Sequence, residues 1–112
     1  VKFLLNLYLS AADLPGHDFD HDQFLAEAGS AGELISAYVF ADPAVSAVVR
    51  VRNSAVTVTE GPYRSMPDHV AGHFLVDCDS RERAVELASL IPGGEIGGVE
   101  IRPLMDSAGM EM

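Results

Sequence analysis

Tryptophan is absent from this chain, cysteine occurs once, and only seven lysines and arginines face 17 aspartates and glutamates among its 112 residues. The lone Cys78 has no internal disulfide partner and fits a reducing compartment. With no basic residue beside it to favour the thiolate, it reads as a small apolar filler rather than a nucleophile. The net charge of −10 opposes nucleic acid and anionic membranes through the global field, so neither partner is expected. Arg50, Arg52, Arg64 and Arg102 still allow a local positive spot, which is all that an anionic substrate needs. No apolar run approaches the roughly 20 residues of a spanning helix. The opening VKFLLNLYLS is too short and too alternating for a signal peptide, and Asn6 interrupts its apolar region, so a cytoplasmic location is expected. Its first residue, Val rather than Met, fits a removed initiator or a GTG start. There is no Gly-rich phosphate loop, nucleophile elbow, paired-cysteine site or dinucleotide fingerprint. An enzyme on this chain is thereby narrowed to acid–base chemistry without a nucleotide cofactor, such as elimination, isomerisation or decarboxylation of a small ring compound, and no cofactor is expected.

What is present is a globular composition, 48% hydrophobic and 21% charged, in a length that makes one core. Residues 1–105 read as a single domain and 106–112 as a frayed tail. Residues 3 to 9 alternate, with Phe3, Leu5, Leu7 and Leu9 on one face and Leu4, Asn6 and Tyr8 on the other, the period of a strand. The mixed second face is placed to line a cleft or an interface. SAADLPGHDF reads as a loop around Pro15 and Gly16. Asp20 then caps a short helix with Gln23 as its capping-box partner, Phe24, Leu25 and Ala28 as its buried stripe, and Gly29 as its stop.

ELISAYVFAD reads as a strand ended by Pro43. VSAVVRVR and AVTVTE form a hairpin across Asn53-Ser54, since Asn tolerates the positive φ of such a turn. VAGHFLVD is a further strand. Ser80 caps a helix whose Ala84, Leu87, Ala88 and Ile91 follow at i, i+3, i+4, i+7, before Pro92 and Gly93. GGVEIRPL closes the order, with Glu100 and Arg102 on one face. This is an α+β pattern, a ferredoxin-like sandwich with both helices on one face of a mainly antiparallel sheet. The other sheet face is left bare, which predicts a homodimer packed sheet to sheet.

The run VTVTEGPYRSMPDHVAGHFLVDCDSRERAVELASLIP, followed by VEIRPLM, resembles the YCII-related family in its DGPF-domain branch. Gly61, Pro62 and Tyr63 match the signature, with Glu60 replacing its Asp. Gly72, Phe74, Asp77, Ser80, Pro92, Glu100, Arg102 and Pro103 fall in register, and VKFLLNLYL resembles the family's first strand. The resemblance implies the dimeric α+β-barrel form of the fold. Its chemistry is less defined: a related dehydrochlorinase acts on chlorinated aromatics, some relatives use a His-Asp pair, and DGPF domains are often associated with extracytoplasmic-function sigma factors. This chain departs from the family at its polar loop, RSMPDHV, in a shorter segment around the first helix, and at position 73, where His replaces the usual aromatic.

His73 and His21 are the candidate general bases, since an imidazole accepts a proton near neutral pH. His73 needs a partner from a neighbouring strand, and Asn6, Tyr8 or Glu100 can supply one; it is equally readable as a hydrogen-bonded core imidazole. His21 is the nearest counterpart of the histidine in the family's His-Asp pair. The Gly61-Pro62-Tyr63 corner sets Tyr63, Arg64 and His69 at one end of the sheet, where with Tyr8 they can orient an oxygenated, aromatic or anionic ligand. In GHDFDHD, His17 and His21 are four apart, but a cap at Asp20 leaves His17 outside the helix, so no metal site is expected. A lyase or isomerase is one reading; a module that binds a small molecule or a protein such as a sigma factor is the other.

Overall fold

A computed structural model describes residues 1–10, 12–13 and 20–112. Strands β1 (Lys2–Ser10), β2 (Leu34–Val39), β5 (Asp68–Asp77) and β6 (Gly98–Pro103) form one sheet in the order β2-β5-β1-β6, and every pairing in it is antiparallel. β1 and β2 therefore run parallel with β5 between them, joined by helix α1 (Asp22–Ser30). β5 and β6 flank β1 in the same way, joined by α2 (Arg81–Ala88). Two interlocked split β-α-β units result, compatible with a ferredoxin-like α+β fold. β3 (Ala47–Arg52) and β4 (Ala55–Glu60) pair only with each other, as a separate two-stranded hairpin.

The period-two pattern of β1 becomes a two-sided strand. Phe3, Leu5, Leu7 and Leu9 are buried beneath the helices with Phe74 and Val76 of β5, while Leu4, Asn6 and Tyr8 point to the bare face. From above, Phe24 and Ala28 of α1 and Ala84, Leu87 and Ala88 of α2, with Ile91 just beyond it, complete the core. Each large side chain among them contributes about 1.5–3 kcal/mol by leaving water. The whole measures 46 × 41 × 18 Å, the short dimension being one sheet plus one helix layer. Among the described residues no helix is long and apolar enough to cross a membrane.

Several local expectations are corrected. The N-cap of α1 is His21, not Asp20, whose carboxylate instead accepts from the Asp22 amide at 3.1 Å. Gly29 lies inside the helix; the chain leaves it at Gly32, whose φ of +70° suits a residue without a side chain. Leu25 is exposed, because the stripe that meets the sheet is Phe24 and Ala28, four apart, and the next residue is turned about 100° away from it. β2 stops at Val39, and Asp42 caps a short 3-10 turn from Pro43 to Val45 by accepting from the Ala44 amide at 2.8 Å. In 106–112 the chain turns back on itself, the Met112 amide donating to Leu104 O at 2.8 Å and the Asp106 carboxylate accepting from the amides of Ala108 and Met110. The expected loop around Pro15 and Gly16 lies outside the described residues.

α2 follows its sequence closely. Ser80 Oγ accepts from the Arg83 amide at 3.1 Å, and Arg83 then ties the two helices and the start of β2 together through Glu27, Glu33 and Glu86 at 2.8 to 3.0 Å. These carboxylates, Glu33 foremost, push the already high pKa of Arg83 further up. Ser80→Ala removes the cap and should cost about 1 kcal/mol. Thermal unfolding should show it as a fall of several degrees in Tm. Cys78 is buried at the end of β5, where burial pushes its thiol pKa up and the Glu33 carboxylate adds to the effect. A raised pKa leaves less thiolate at pH 8, so iodoacetamide should alkylate the folded protein at least about tenfold more slowly than the urea-unfolded chain.

Candidate functional site

Alternation along β5 sends Phe74 up into the helix layer and His73 down to the bare face. There His73 occupies one row that crosses the entire sheet: Tyr38 of β2 is its register partner on one side, Asn6 of β1 on the other, and Glu100 of β6 lies beyond Asn6. Neighbouring side chains in such a row stand about 5 Å apart. The row is partly wired. Asn6 Nδ2 donates to Glu100 Oε1 at 3.2 Å, and Arg102 closes on the same carboxylate at 3.0 Å. Of the neighbours expected for His73, Asn6 is the adjacent one, but its amide is committed to Glu100. Among the described residues the His73 imidazole has ring contacts rather than hydrogen bonds: Phe40 at 5.0 Å and Tyr38 at 5.5 Å between centroids, both close to perpendicular. Edge-to-face packing of this kind fixes ring orientation.

Phe40 is set in place by the β2–β5 register, which continues one residue past the pair Val39–Gly72: its amide donates to Ala71 O at 2.8 Å. The 3-10 turn and the hairpin base then rise beside it. Between them and the sheet lies an open groove of about 960 Å³, walled by Tyr38, Phe40, Val45, Val48, Val70 and His73, with Tyr63 and His69 also on its lining. That volume is at the upper end of small-molecule sites. Gly61, at φ +104°, and Pro62 make the corner that returns the chain from the hairpin and delivers Tyr63.

Three of the sequence candidates, His73, His69 and Tyr63, therefore share the groove. Arg64 stands behind it, its guanidinium carbon 6.0 Å from the Tyr63 ring centroid. Arg50 approaches that ring at 5.3 Å, joining the hairpin to the corner that follows it. Neither Arg50 nor Arg64 is in an ion pair among the described residues; both lie against the Tyr63 ring, which itself lines the groove. Tyr8 is not on the groove lining; it borders a smaller hollow with Asp68, Gly98 and Glu100.

His21 is separated from all of these. It is buried on the helix side, its ring 5.0 Å from Phe74, so the sheet itself lies between the two histidines proposed as bases. They belong to different environments and cannot act on one substrate. His17 and Asp18 lie outside the described residues. Among those described, no three His, Cys, Asp or Glu side chains are grouped to hold a metal ion. The signal for Tyr38 and Phe40 was present in the sequence, two aromatics at i, i+2 that a strand turns to one side, but nothing local joined them to His73. No protein-family model matches the chain, and no curated protein matches it in sequence.

Proposed function

We propose that this protein is a YCII-related, cofactor-independent lyase or isomerase of the dimeric α+β-barrel type, acting on a small ring compound with an anionic or oxygenated substituent. The observation that carries this reading is His73: a half-buried imidazole held between two aromatic rings on the wall of a groove of ligand size. In that position it would act as general base, taking a proton from a carbon or hydroxyl of the ring. Tyr38 and Phe40 would stack on the ring, His69 and Tyr63 would contact its oxygen substituents, and Arg50 and Arg64 would draw the anionic group to the mouth. The strand order, the Gly61-Pro62-Tyr63 corner and the Glu100-Arg102-Pro103 stretch on β6 agree with the family resemblance. The bare sheet face supports packing against a second copy, which would roof the groove. His21, buried beside Phe74 on the other side of the sheet, has no part in this mechanism.

A second reading is favoured by a specific feature, the absence of any hydrogen-bond partner for the His73 imidazole among the described residues. A general base is usually oriented by such a partner. A site that binds a small molecule without transforming it has no such need.

Deuterium wash-in separates the two. Small ring ketones and halogenated cyclohexadienes incubated with the protein in D2O should exchange their acidic C–H, and His73→Gln should slow that exchange roughly a hundredfold or more. Saturation-transfer NMR on the same mixtures reports binding. Compounds that bind in the groove but exchange no faster with the native protein than with His73→Gln would sink the enzymatic reading and leave the binding one.

A further inference from the structure

The hairpin is the part of the molecule for which the chain itself provides least cover. Its register places Val49 opposite Val58 and Val51 opposite Val56, so four valines share one face. Arg50 opposite Thr57 and Val48 opposite Thr59 make the other. Such a division into an apolar and a polar face is the pattern of a strand pair with one side buried. Yet all four valines are between 58% and 66% exposed, and neither strand joins the main sheet. A two-stranded hairpin left alone in water is marginal. The arginine face is the one that meets Tyr63, and of the four valines only Val49, at the base of the arm, also borders the groove.

We infer that this valine face is a self-association surface, seated in solution on the same four valines of a second copy. The contact is isologous: one flat patch that is its own complement across a two-fold axis. Two quantities favour a copy of this chain as the occupant. The chain exposes 7128 Å², whereas a compact monomer of 11.9 kDa exposes roughly 5,900 Å². Its radius of gyration is 15.9 Å against about 13 Å for a compact chain of this length. An excess on the order of 1,200 Å² per subunit is what a protomer lifted out of a homodimer carries, since permanent homodimers bury upwards of about 2,000 Å² in total. Towards the base of the arm Ala47 and Glu60 continue the same face, so the uncharged part of it is the four valines alone.

This contact is distinct from the packing of the bare sheet face and stands without the acid–base reading. It bears on the groove all the same, because Val48 and Val49 at the base of the arm form part of the groove wall and Arg50 stands over Tyr63. Seating the arm holds that wall still.

Sedimentation velocity on the full chain across micromolar concentrations tests it, comparing the native protein with V49T/V58T and, as a control on the other surface, Leu75→Thr on the bare sheet face. Val→Thr keeps shape and strand propensity while adding a hydroxyl. The native protein should sediment as a dimer, and V49T/V58T should raise the dimer Kd roughly a hundredfold or more with an unchanged far-UV spectrum. A native monomer at every concentration overturns the inference. So does a V49T/V58T protein that stays fully dimeric while Leu75→Thr dissociates. Should V49T/V58T fail to fold, single cysteines at 49, 51, 56 and 58 in a Cys78→Ala background decide instead. A short bismaleimide should join two chains through at least one of them, and no cross-linking from any of the four rejects the contact.

Discussion

The pairing of β1 with β5 in a single register is the constraint on which the rest of this molecule depends. Leu5 faces Phe74 across it and Asn6 faces His73, so one step along either strand moves from the centre of the core to the centre of the bare face. A slip of one residue would put an imidazole and a carboxamide under the helices and Phe74 in water, at a cost of several kcal/mol from the buried aromatic and the stranded polar groups together. The helices are responses to this pairing. Each crosses the sheet to bring its next strand to an outer position, and each covers the face that carries the leucines of β1.

Because helices cover one face only, polar chemistry collects on the other. In the Tyr38-His73-Asn6-Glu100 row, neighbouring side chains and not helices give the cover, which is full for Asn6, partial for His73 and Glu100, and slight for Tyr38 at the β2 end. Electrostatics divides similarly. Arg83 and Arg102 are engaged by carboxylates of their own subunit, whereas Arg50 and Arg64 lie against an aromatic ring.

What could be read in the sequence was what local physics decides. Alternation in β1, the Asn53-Ser54 turn with both φ positive, the Ser80 cap and the α2 stripe all depend on residues within a turn of one another, and all are where their patterns place them. The misreadings fall where distant contacts decide. Gly29 looks like a helix stop, but helical backbone continues through it until the chain has to turn into β2. That a sheet separates His21 from His73 is likewise decided by contacts far apart in the chain and leaves no local trace. The hairpin was legible as a hairpin; that it would stand apart from the sheet was not, because this depends on how β2 and β5 pair without it. Arg50 over Tyr63 joins the hairpin to the corner that follows it, and no periodicity reports such a contact.

The hairpin also has a place in time. Its strands are joined by two residues, so it can close within microseconds, whereas β1 must wait for β5 and β6 to be made and brought back across most of the chain. A valine face is thus assembled before the rest of the fold is ready to restrain it, at a stage when edge-to-edge pairing between nascent chains is the main hazard. Arg50 and Arg52 alternate with valines along β3, and Glu60 ends β4. Charges in those places interrupt the uncharged β-rich run that aggregation needs. The arm is in this sense guarded during synthesis by the charges on its arginine face and at its end.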